Sequence, residues 1–364
     1  MPVARPAGGG TGGVLRGRRD AGRRWPGPGG PDRQRGGATR LSVRIGFSGP
    51  DGPAGEAWET AVGMRPEKSE GVSMDLVIGA TGYLGLEICK GLRRRGRNVR
   101  AMVREGSDRV RVETLRDIGA AVVVGDLKDP GSLAKVCRGA SVVISTASST
   151  LSRQDGDSIE SVDRDGQLSL IASARAAAVG HFVFISFPHD PTDFPLQDAK
   201  RTVEATLRGS GLGYTILHPT HFREIWLSPA LGFDPAGGHV RVFGKGEGRI
   251  SWISLHDVAL AAVAAVDNPR ALNRVLELGG DRALTQAEVI ALLEKEAGRT
   301  FKREMVPESD LEAMIRSDDP LTRSFGALML ACARHGCPVD NGPAAEVLDF
   351  RPRPFTEYVS ECLK

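Results

Sequence analysis

A short apolar strand pattern, a glycine-spaced turn and a helical pattern follow one another in the stretch MDLVIGATGYLGLEICKGL, residues 74–92. Apolar residues in its second half recur at Leu84, Ile88 and Leu92, as on one face of a helix. Glycines at such a turn let the backbone approach a pyrophosphate and let the helix pack closely on its strand. The N-terminus of that helix would offer unpaired N–H groups and a positive dipole end to an anion. A glycine triad alone is a weak signal, but the strand before it and the helix after it make it specific.

The elements that follow agree with a repeating strand and helix order. Apolar runs over residues 98–103, 121–124 and 141–145 read as further strands, and helical patterns fill the gaps between them. Alternation of this kind predicts an α/β fold with a doubly wound parallel Rossmann sheet, whose ligands bind at the carboxyl ends of the strands.

Three parts are predicted along the chain of 364 residues. Residues 1–73 form a disordered Gly/Pro/Arg-rich extension, and residues 74–225 form an NAD(P)-binding Rossmann core. Residues 226–364 form a smaller C-terminal α/β portion that covers the substrate and returns a strand to the core. Thr285 and Glu288 form a capping box at the start of one of its helices, and Asp257 is expected to cap another after a short strand.

The extension has a composition unlike the rest of the chain. It holds 18 Gly and 8 Pro, and its 12 Lys and Arg exceed its 7 Asp and Glu, so it is expected to stay disordered. One interpretation is a basic arm that touches anionic partners, and a second is an organellar transit peptide, although it lacks their amphipathic, Ser-rich character. A third is a translated leader, because Glu70 and Gly71 are encoded by a purine-rich run shortly before Met74.

Overall charge and cysteine usage exclude several classes of protein. With 48 basic and 45 acidic residues, the chain gives no electrostatic reason to expect nucleic acid or an anionic membrane as a partner. No apolar run is long enough to span a bilayer. The five scattered cysteines suit a reducing compartment, which predicts a cytoplasmic protein. Cys332, His335 and Cys337 lie close together, but no second ligand pair accompanies them, so no metal is expected.

The residues after the second strand favour NADP(H) over NAD(H). An NAD site places an acidic residue there to hold the ribose 2′-hydroxyl, whereas a 2′-phosphate calls for an arginine. Arg104 stands directly after Val103, and Glu105 follows it. The alternative is that Arg104 is a solvated charge and Glu105 turns inward to serve NAD.

Several segments together carry a family resemblance. GATGYLG after the first strand, GDLKDP after the third, HFVFISF at the fifth and AKRTVEATLRGSGLGYTILHPTHF beyond it occur in this order. The chain from Met74 to near its C-terminus resembles the NmrA-like and isoflavone-reductase-like branch of the atypical short-chain dehydrogenases/reductases. This resemblance implies a Rossmann domain that binds NADP(H) and a smaller portion that covers a small-molecule substrate.

The resemblance also implies roles for individual residues. The cofactor would be contacted at Gly79, Thr81, Gly82, Tyr83, Leu84 and Gly85 around the pyrophosphate, at Arg104 for the 2′-phosphate, at Asp126 and Leu127 on the adenine side, and at Thr146 and Ala147 near the ribose or nicotinamide. Lys200 matches the active-site lysine of the family, and His218, Pro219 and Thr220 would lie near the nicotinamide.

The tyrosine used by many reductases of the superfamily is missing. In those enzymes a tyrosine four residues before a lysine donates the proton to a carbonyl oxygen. The three tyrosines of this chain precede Glu87, His218 and Cys362 at that spacing, so no YxxxK motif exists. The position four residues before Lys200 is Leu196. In the isoflavone-reductase branch the lysine itself is thought to act, and Lys200 could do so if burial lowered its pKa. The alternative is a surface lysine paired with Glu204 at i+4.

Other candidates have ordinary structural alternatives. Ser186 could orient a substrate carbonyl or simply bond the backbone, and His189 could relay a proton or stand exposed in a loop. Trp226 and Phe222 are expected to line the substrate pocket.

Two classes of function remain open. The first is an NADP(H)-dependent oxidoreductase that reduces a small organic electrophile such as a quinone or enone. The second is a non-catalytic regulator or assembly factor that senses NAD(P). Neither the substrate nor the oligomeric state follows from the sequence.

Overall fold

The computed structural model describes residues 73–151 and 153–363. The predicted N-terminal extension, with its three interpretations, lies outside the described residues except for Ser73.

The N-terminal half alternates strands and helices. In chain order these are β1 (Met74–Ile78), α1 (Tyr83–Arg94), β2 (Asn98–Val103), α2 (Arg109–Asp117), β3 (Ala121–Val124), α3 (Pro130–Cys137), β4 (Val142–Ser145), a π-helix (Ile159–Gly166) that runs into α4 (Gln167–Ala176), β5 (His181–Ile185), α5 (Pro195–Gly209) and β6 (Gly213–Pro219).

The C-terminal half is mainly helical. Its elements are α6 (Arg223–Trp226), a 3-10 turn (Pro229–Leu231), β7 (Phe233–Asp234), β8 (His239–Phe243), α7 (Leu255–Ala265), β9 (Arg274–Leu278), α8 (Gln286–Ala297), β10 (Lys302–Val306), α9 (Glu308–Ile315), α10 (Pro320–Arg334), α11 (Gly342–Leu348) and α12 (Phe355–Cys362).

Seven of the strands form one parallel sheet in the order β3-β2-β1-β4-β5-β6-β9. The predicted doubly wound Rossmann sheet is confirmed. The strand order reverses between β1 and β4, and in such sheets the crevice at the carboxyl ends of these two strands is where ligands bind. Strand β9 comes from the C-terminal part and extends this sheet next to β6. A smaller sheet has the order β10-β8-β7.

Both faces of the central strands of the main sheet are covered, which explains why these strands read as continuous apolar runs. In β1, Val77 belongs to the core under α1 and α7, whereas Leu76 and Ile78 belong to the core under α3 and α4. A further core joins the small sheet to α8 and α10, with Phe243, Trp252 and other large side chains.

The starts of two helices in the C-terminal part can be compared with the caps predicted from the sequence. The capping box of Thr285 and Glu288 is confirmed at the start of α8. The prediction that Asp257 caps α7 is wrong, because Ser254 is the N-cap and accepts hydrogen bonds from the N–H groups of His256 and Asp257. The segment before it, expected as a strand, makes only an isolated bridge between Phe222 and Ile253.

Candidate active site

The glycine turn between β1 and α1 lies at the switch point of the sheet. Gly79 has φ +81°, and a Cβ there would stand 2.7 Å from Thr146 Oγ1. A Cβ on Gly85 would stand 2.2 Å from the carbonyl oxygen of Gly79, so the helix lies directly against the turn. Gly82 is the N-cap of α1, with no side-chain cap and no acidic residue in the first turn. The helix N-terminus is therefore open to an anionic group, and a dinucleotide pyrophosphate fits it.

The loop after β4 forms the other wall of this crevice. Thr146 donates from its backbone N–H and from Oγ1 to the carbonyl of Ile78, over 3.0 and 3.1 Å. A Cβ on Gly79 would also stand 3.0 Å from the backbone N of Ala147, so the loop lies close against the turn. The structure thus brings Thr146 and Ala147 beside the glycine turn. Their contact with the ribose or nicotinamide stays a prediction.

A cation near the turn was missed by the sequence reading. Arg111 of α2 donates from Nη1 to the carbonyl of Thr81 over 2.7 Å, and its guanidinium lies 4.0 Å from the centre of the Tyr83 ring. Leu84 points into the core. Nothing in the local sequence marks Arg111, because α2 only brings it to the turn once the sheet has formed.

The predicted adenine side borders an open cleft of about 890 Å³. Asp126 lines this cleft, and its carboxylate accepts a 2.8 Å hydrogen bond from the backbone N–H of Lys128. The side chain of Leu127 is buried against Gly166, where a Cβ would come within 2.8 Å of it, so only the backbone of Leu127 can face a ligand. Arg104, at the end of β2, forms an ion pair with Asp157.

Lys200 is buried on α5. Its Nζ lies 3.7 Å from Oδ1 of Asp163 in the π-helix and 3.4 Å from the carbonyl oxygen of Ile185. The ammonium also lies 4.9 Å from the centre of the Phe184 ring. Burial lowers the pKa of Lys200, and the charge of Asp163 opposes that shift. The alternative of a surface lysine paired with Glu204 is wrong, because Lys200 is only 6% exposed and faces Asp163.

Glu204 instead organises a second buried polar cluster. It accepts hydrogen bonds from Ser186 Oγ over 2.6 Å and from Arg201 Nη1 over 2.5 Å, and it lies 2.9 Å from His218 Nε2. Burial alone would raise the pKa of Glu204, but His218, Ser186 and Arg201 together bring it below its ordinary value. The hydroxyl of Ser186 is thus used within the protein, and His189 is exposed in its loop.

The position four residues before Lys200 is covered by α10. Leu196 is buried, and its backbone N–H donates to Ser324 Oγ of α10 over 3.1 Å. Its side chain shares an apolar cluster with Ala199 and Ala327. A tyrosine side chain would therefore meet α10 at this position and would have no room to reach a substrate.

A small cavity lies in the C-terminal part, with room for about one water molecule. Trp226 lines it together with Trp252, and the expected role of Trp226 in a substrate pocket stays a prediction. His221 and Cys332 meet at its edge with 2.9 Å between Nε2 and Sγ. Burial lowers the pKa of His221 to about 4 and raises that of Cys332 well above its ordinary value, so both are neutral near pH 7. Phe222 instead packs against the core of the main sheet.

Two features are absent from the described part of the chain. None of its helices combines the length and the apolar character needed to cross a bilayer. Residues 73–151 and 153–363 also bring together no group of three or more His, Cys, Asp or Glu side chains that could hold a metal ion.

A parallel sheet with a glycine turn at its switch point places the molecule among the Rossmann-fold α/β proteins. Within that class the chain belongs to the NmrA-like family, which it matches over residues 73–359. The family inferred from the sequence segments is therefore confirmed.

Individual relatives differ in function. The photosystem II assembly factor Ycf39 of Trieres chinensis is 30% identical over 235 residues, which cover 64% of this chain and 72% of that protein. The isoflavone reductase homolog IRL of Zea mays is 31% identical over 254 residues, which cover 67% of this chain and 80% of that protein. An NADPH-dependent quinone oxidoreductase of Escherichia coli, solved with NADPH, shares the fold with a TM-score of 0.66, 24% identity and coverage of 80% of this chain and 100% of its own.

Proposed function

We propose that this protein is an NADP(H)-dependent reductase that acts on a small organic electrophile such as a quinone or an enone. The observation that carries the proposal is the glycine turn, whose open helix N-terminus faces the crevice at the switch point of the sheet. The likeness to a reductase homolog and to a quinone oxidoreductase solved with NADPH supports it.

Different residues of the chain would bind different parts of the cofactor. Backbone N–H groups between Gly79 and Gly85 would hold the pyrophosphate, and the loop at Thr146 and Ala147 would border the ribose and nicotinamide. Arg104 would bind the 2′-phosphate, and Asp126 with the backbone of Leu127 would border the adenine. When bound, NADPH supplies the hydride for the reduction.

Lys200 is the residue that we assign to the chemical step. An ammonium held in a low-dielectric site stabilises negative charge on a nearby oxygen more strongly than it would in water. The carboxylate of Asp163 favours the charged form of that ammonium and opposes the lowering of its pKa by burial. Nζ would therefore hold a proton beside the substrate oxygen, in the role that tyrosine plays in other reductases of the superfamily.

A second candidate function is a non-catalytic NAD(P)-sensing regulator or assembly factor. The observation in its favour is the burial of Lys200, whose ammonium already faces Asp163, the carbonyl of Ile185 and the ring of Phe184. An assembly factor among the relatives agrees with it. In that case Lys200 would serve stability alone, and the dinucleotide would report the redox state of the cell.

The test is NADPH oxidation against a panel of quinones and enones, with Lys200→Met beside the unmodified protein. Lys135→Met, which removes an exposed lysine from α3, is the matched control. We expect turnover with at least one acceptor, a loss of about 100-fold or more in Lys200→Met, and full activity in the control. Binding of NADPH without turnover of any acceptor would favour the sensor, and tighter binding of NADH than of NADPH would contradict the role of Arg104.

A further inference from the structure

Two cations at neighbouring strand ends share one buried carboxylate. Arg104 Nη1 lies 2.5 Å from Oδ2 of Asp157, and Lys128 Nζ donates to Oδ1 of the same side chain. Arg104 follows β2 and Lys128 comes shortly after β3, and these strands pair in register with Val103 opposite Val124. The parallel sheet therefore brings together two charges that stand 24 positions apart in the sequence.

The exposures of the three side chains indicate which of them faces the cleft. The Asp157 side chain is 1% exposed, whereas those of Arg104 and Lys128 are 24% and 26% exposed. Lys128 lines the cleft of the predicted adenine side. The carboxylate thus lies beneath the two cations. Lys128 faces the cleft, and the partly exposed Arg104 directly precedes Glu105, which lines it.

Asp157 is itself held firmly in place. Its Oδ2 also accepts a 2.7 Å hydrogen bond from the backbone N–H of Gln154, and Gln154 Nε2 donates to the carbonyl of Glu105 over 2.8 Å. Burial alone would raise the pKa of Asp157, but Lys128, Gln154 and Arg104 together lower it. The carboxylate is therefore ionised at neutral pH and anchors both cations to the loop that closes this end of the cleft.

The chemistry of this arrangement suits a phosphomonoester. Such a group carries close to two negative charges at pH 7 and three acceptor oxygens. Arg104 uses Nη1 for Asp157, and among the described residues Nε and Nη2 have no hydrogen-bond acceptor. One other carboxylate lies near the Lys128 ammonium: Oδ2 of Asp126 is 3.8 Å from Nζ. Two cations beside the adenosine end are more than a ribose hydroxyl requires.

We propose that Lys128 is a second specificity-determining cation for a 2′-phosphate, and that Asp157 is the positioning residue that holds Lys128 and Arg104 toward it. This inference rests on the proposed function, in which the cleft holds the adenosine end of NADP(H). It predicts an unusual electrostatic result, because removing a negative charge beside an anion site should weaken the binding of the anion. Without Asp157 the long side chains of Arg104 and Lys128 regain their rotamer freedom. The entropic cost of ordering them on the phosphate then outweighs the attraction gained by removing a negative charge.

The first experiment isolates the phosphate from the nicotinamide. Isothermal titration of the full chain with 2′,5′-ADP and with 5′-AMP compares ligands that differ only in the 2′-phosphate. We expect Lys128→Met to weaken 2′,5′-ADP by about tenfold, the usual scale of a hydrogen bond to a charged group, and to change 5′-AMP less than about twofold. Lys135→Met should leave both affinities unchanged. If Lys128→Met has the same ratio of affinities for 2′,5′-ADP and 5′-AMP as the unmodified chain, the role of Lys128 is overturned.

The second experiment compares two aspartates of the same loop. Asp157→Asn and Asp155→Asn each remove one negative charge, but the side chain of Asp155 is exposed and binds neither cation. Asp155 contacts Lys128 Nζ only through its backbone carbonyl, over 3.3 Å, and the substitution keeps that group. We expect Asp157→Asn to weaken 2′,5′-ADP by about fivefold or more, and Asp155→Asn to leave it unchanged or slightly tighter. Tighter binding in Asp157→Asn would mean that the carboxylate competes with the phosphate and would overturn its positioning role.

Failure of this inference can be told apart from failure of the proposed function. If the unmodified chain binds neither 2′,5′-ADP nor NADPH, the proposed function is wrong and Lys128 has no phosphate to recognise. If the unmodified chain binds 2′,5′-ADP and NADPH, but Lys128→Met leaves the ratio of the affinities for 2′,5′-ADP and 5′-AMP unchanged, only the role of Lys128 is wrong. Circular dichroism of each variant checks its fold, and the surface substitution Lys128→Met keeps the test decisive if Asp157→Asn does not fold.

Discussion

The ammonium of Lys200 lies 3.7 Å from Oδ1 of Asp163, and both side chains are buried. The other carboxylate oxygen of Asp163 accepts hydrogen bonds from the backbone N–H and the hydroxyl of Ser149, over 3.0 and 2.6 Å. This pair joins α5 to the π-helix and to the loop after β4. Burial lowers the pKa of Lys200, the one lysine to which we assign chemistry, and Asp163 opposes that shift.

Breaking this ion pair from either side should destabilise the protein. A buried charge left without its partner typically costs about 3 to 5 kcal/mol, so we expect Asp163→Asn and Lys200→Met each to approach that loss. The double variant removes both charges and should lose less than the sum of the two. Urea denaturation of the four proteins measures this coupling. Strictly additive losses would show that the two groups do not interact, and Glu113→Gln, in an exposed pair with Arg116, should cause no measurable change.

The close contact at the glycine turn predicts that Gly85→Ala destroys the cofactor site. The added Cβ would stand 2.2 Å from the carbonyl oxygen of Gly79, so α1 must move away from the turn. We expect a loss of about 1 to 3 kcal/mol in the free energy of unfolding and the loss of NADPH binding by titration. The matched control is Gly209→Ala at the end of α5, where a Cβ would meet nothing within 4 Å. Normal NADPH affinity in Gly85→Ala would contradict the proposed pyrophosphate site.

Restoring the missing tyrosine should not restore carbonyl chemistry. Leu196→Tyr recreates the YxxxK spacing before Lys200, but Leu196 packs against Ala327 under α10. We expect a destabilisation of about 1 to 3 kcal/mol from overpacking and no new reduction of simple ketones in an NADPH oxidation assay. Thr206→Tyr, exposed on the same helix, should be neutral. Ketone reduction gained by Leu196→Tyr alone would show that the position does face the substrate.

The pKa of Glu204 predicts part of the acid sensitivity of the protein. Its folded-state pKa lies below the ordinary value of 4.5, so the ionised form stabilises the fold above about pH 4.5, and this stability is lost as the pH falls through the folded pKa. We expect Glu204→Gln to be less stable than the unmodified protein at pH 7, with a difference that shrinks toward about pH 3. Urea denaturation across this range measures it. A difference independent of pH would mean that ionisation of Glu204 does not contribute.

The elements that the sequence predicted well are those fixed by local pattern. Strands β2 and β3 begin and end where the apolar runs do, because apolar residues with high strand propensity mark a strand of a parallel sheet in the local sequence. The start of α7 was misjudged, since Ser254 and Asp257 are both good caps and only the path of the chain decides between them. The surface alternative for Lys200 failed for a related reason. A partner at i+4 is visible in the sequence, whereas Asp163 lies 37 positions away.

The sequence by itself determined the Rossmann fold, the NmrA-like family, the glycine turn and the absence of the tyrosine. All of these depend on residues close together in the chain or on the order of segments. Only the tertiary structure decided which polar and charged side chains meet: Lys200 with Asp163, Glu204 with His218, and Arg104 and Lys128 with Asp157. The physical reason is that such pairs form across the carboxyl ends of neighbouring strands and the helices above them. Their partners are set by sheet order and by burial, which local sequence spacing does not encode.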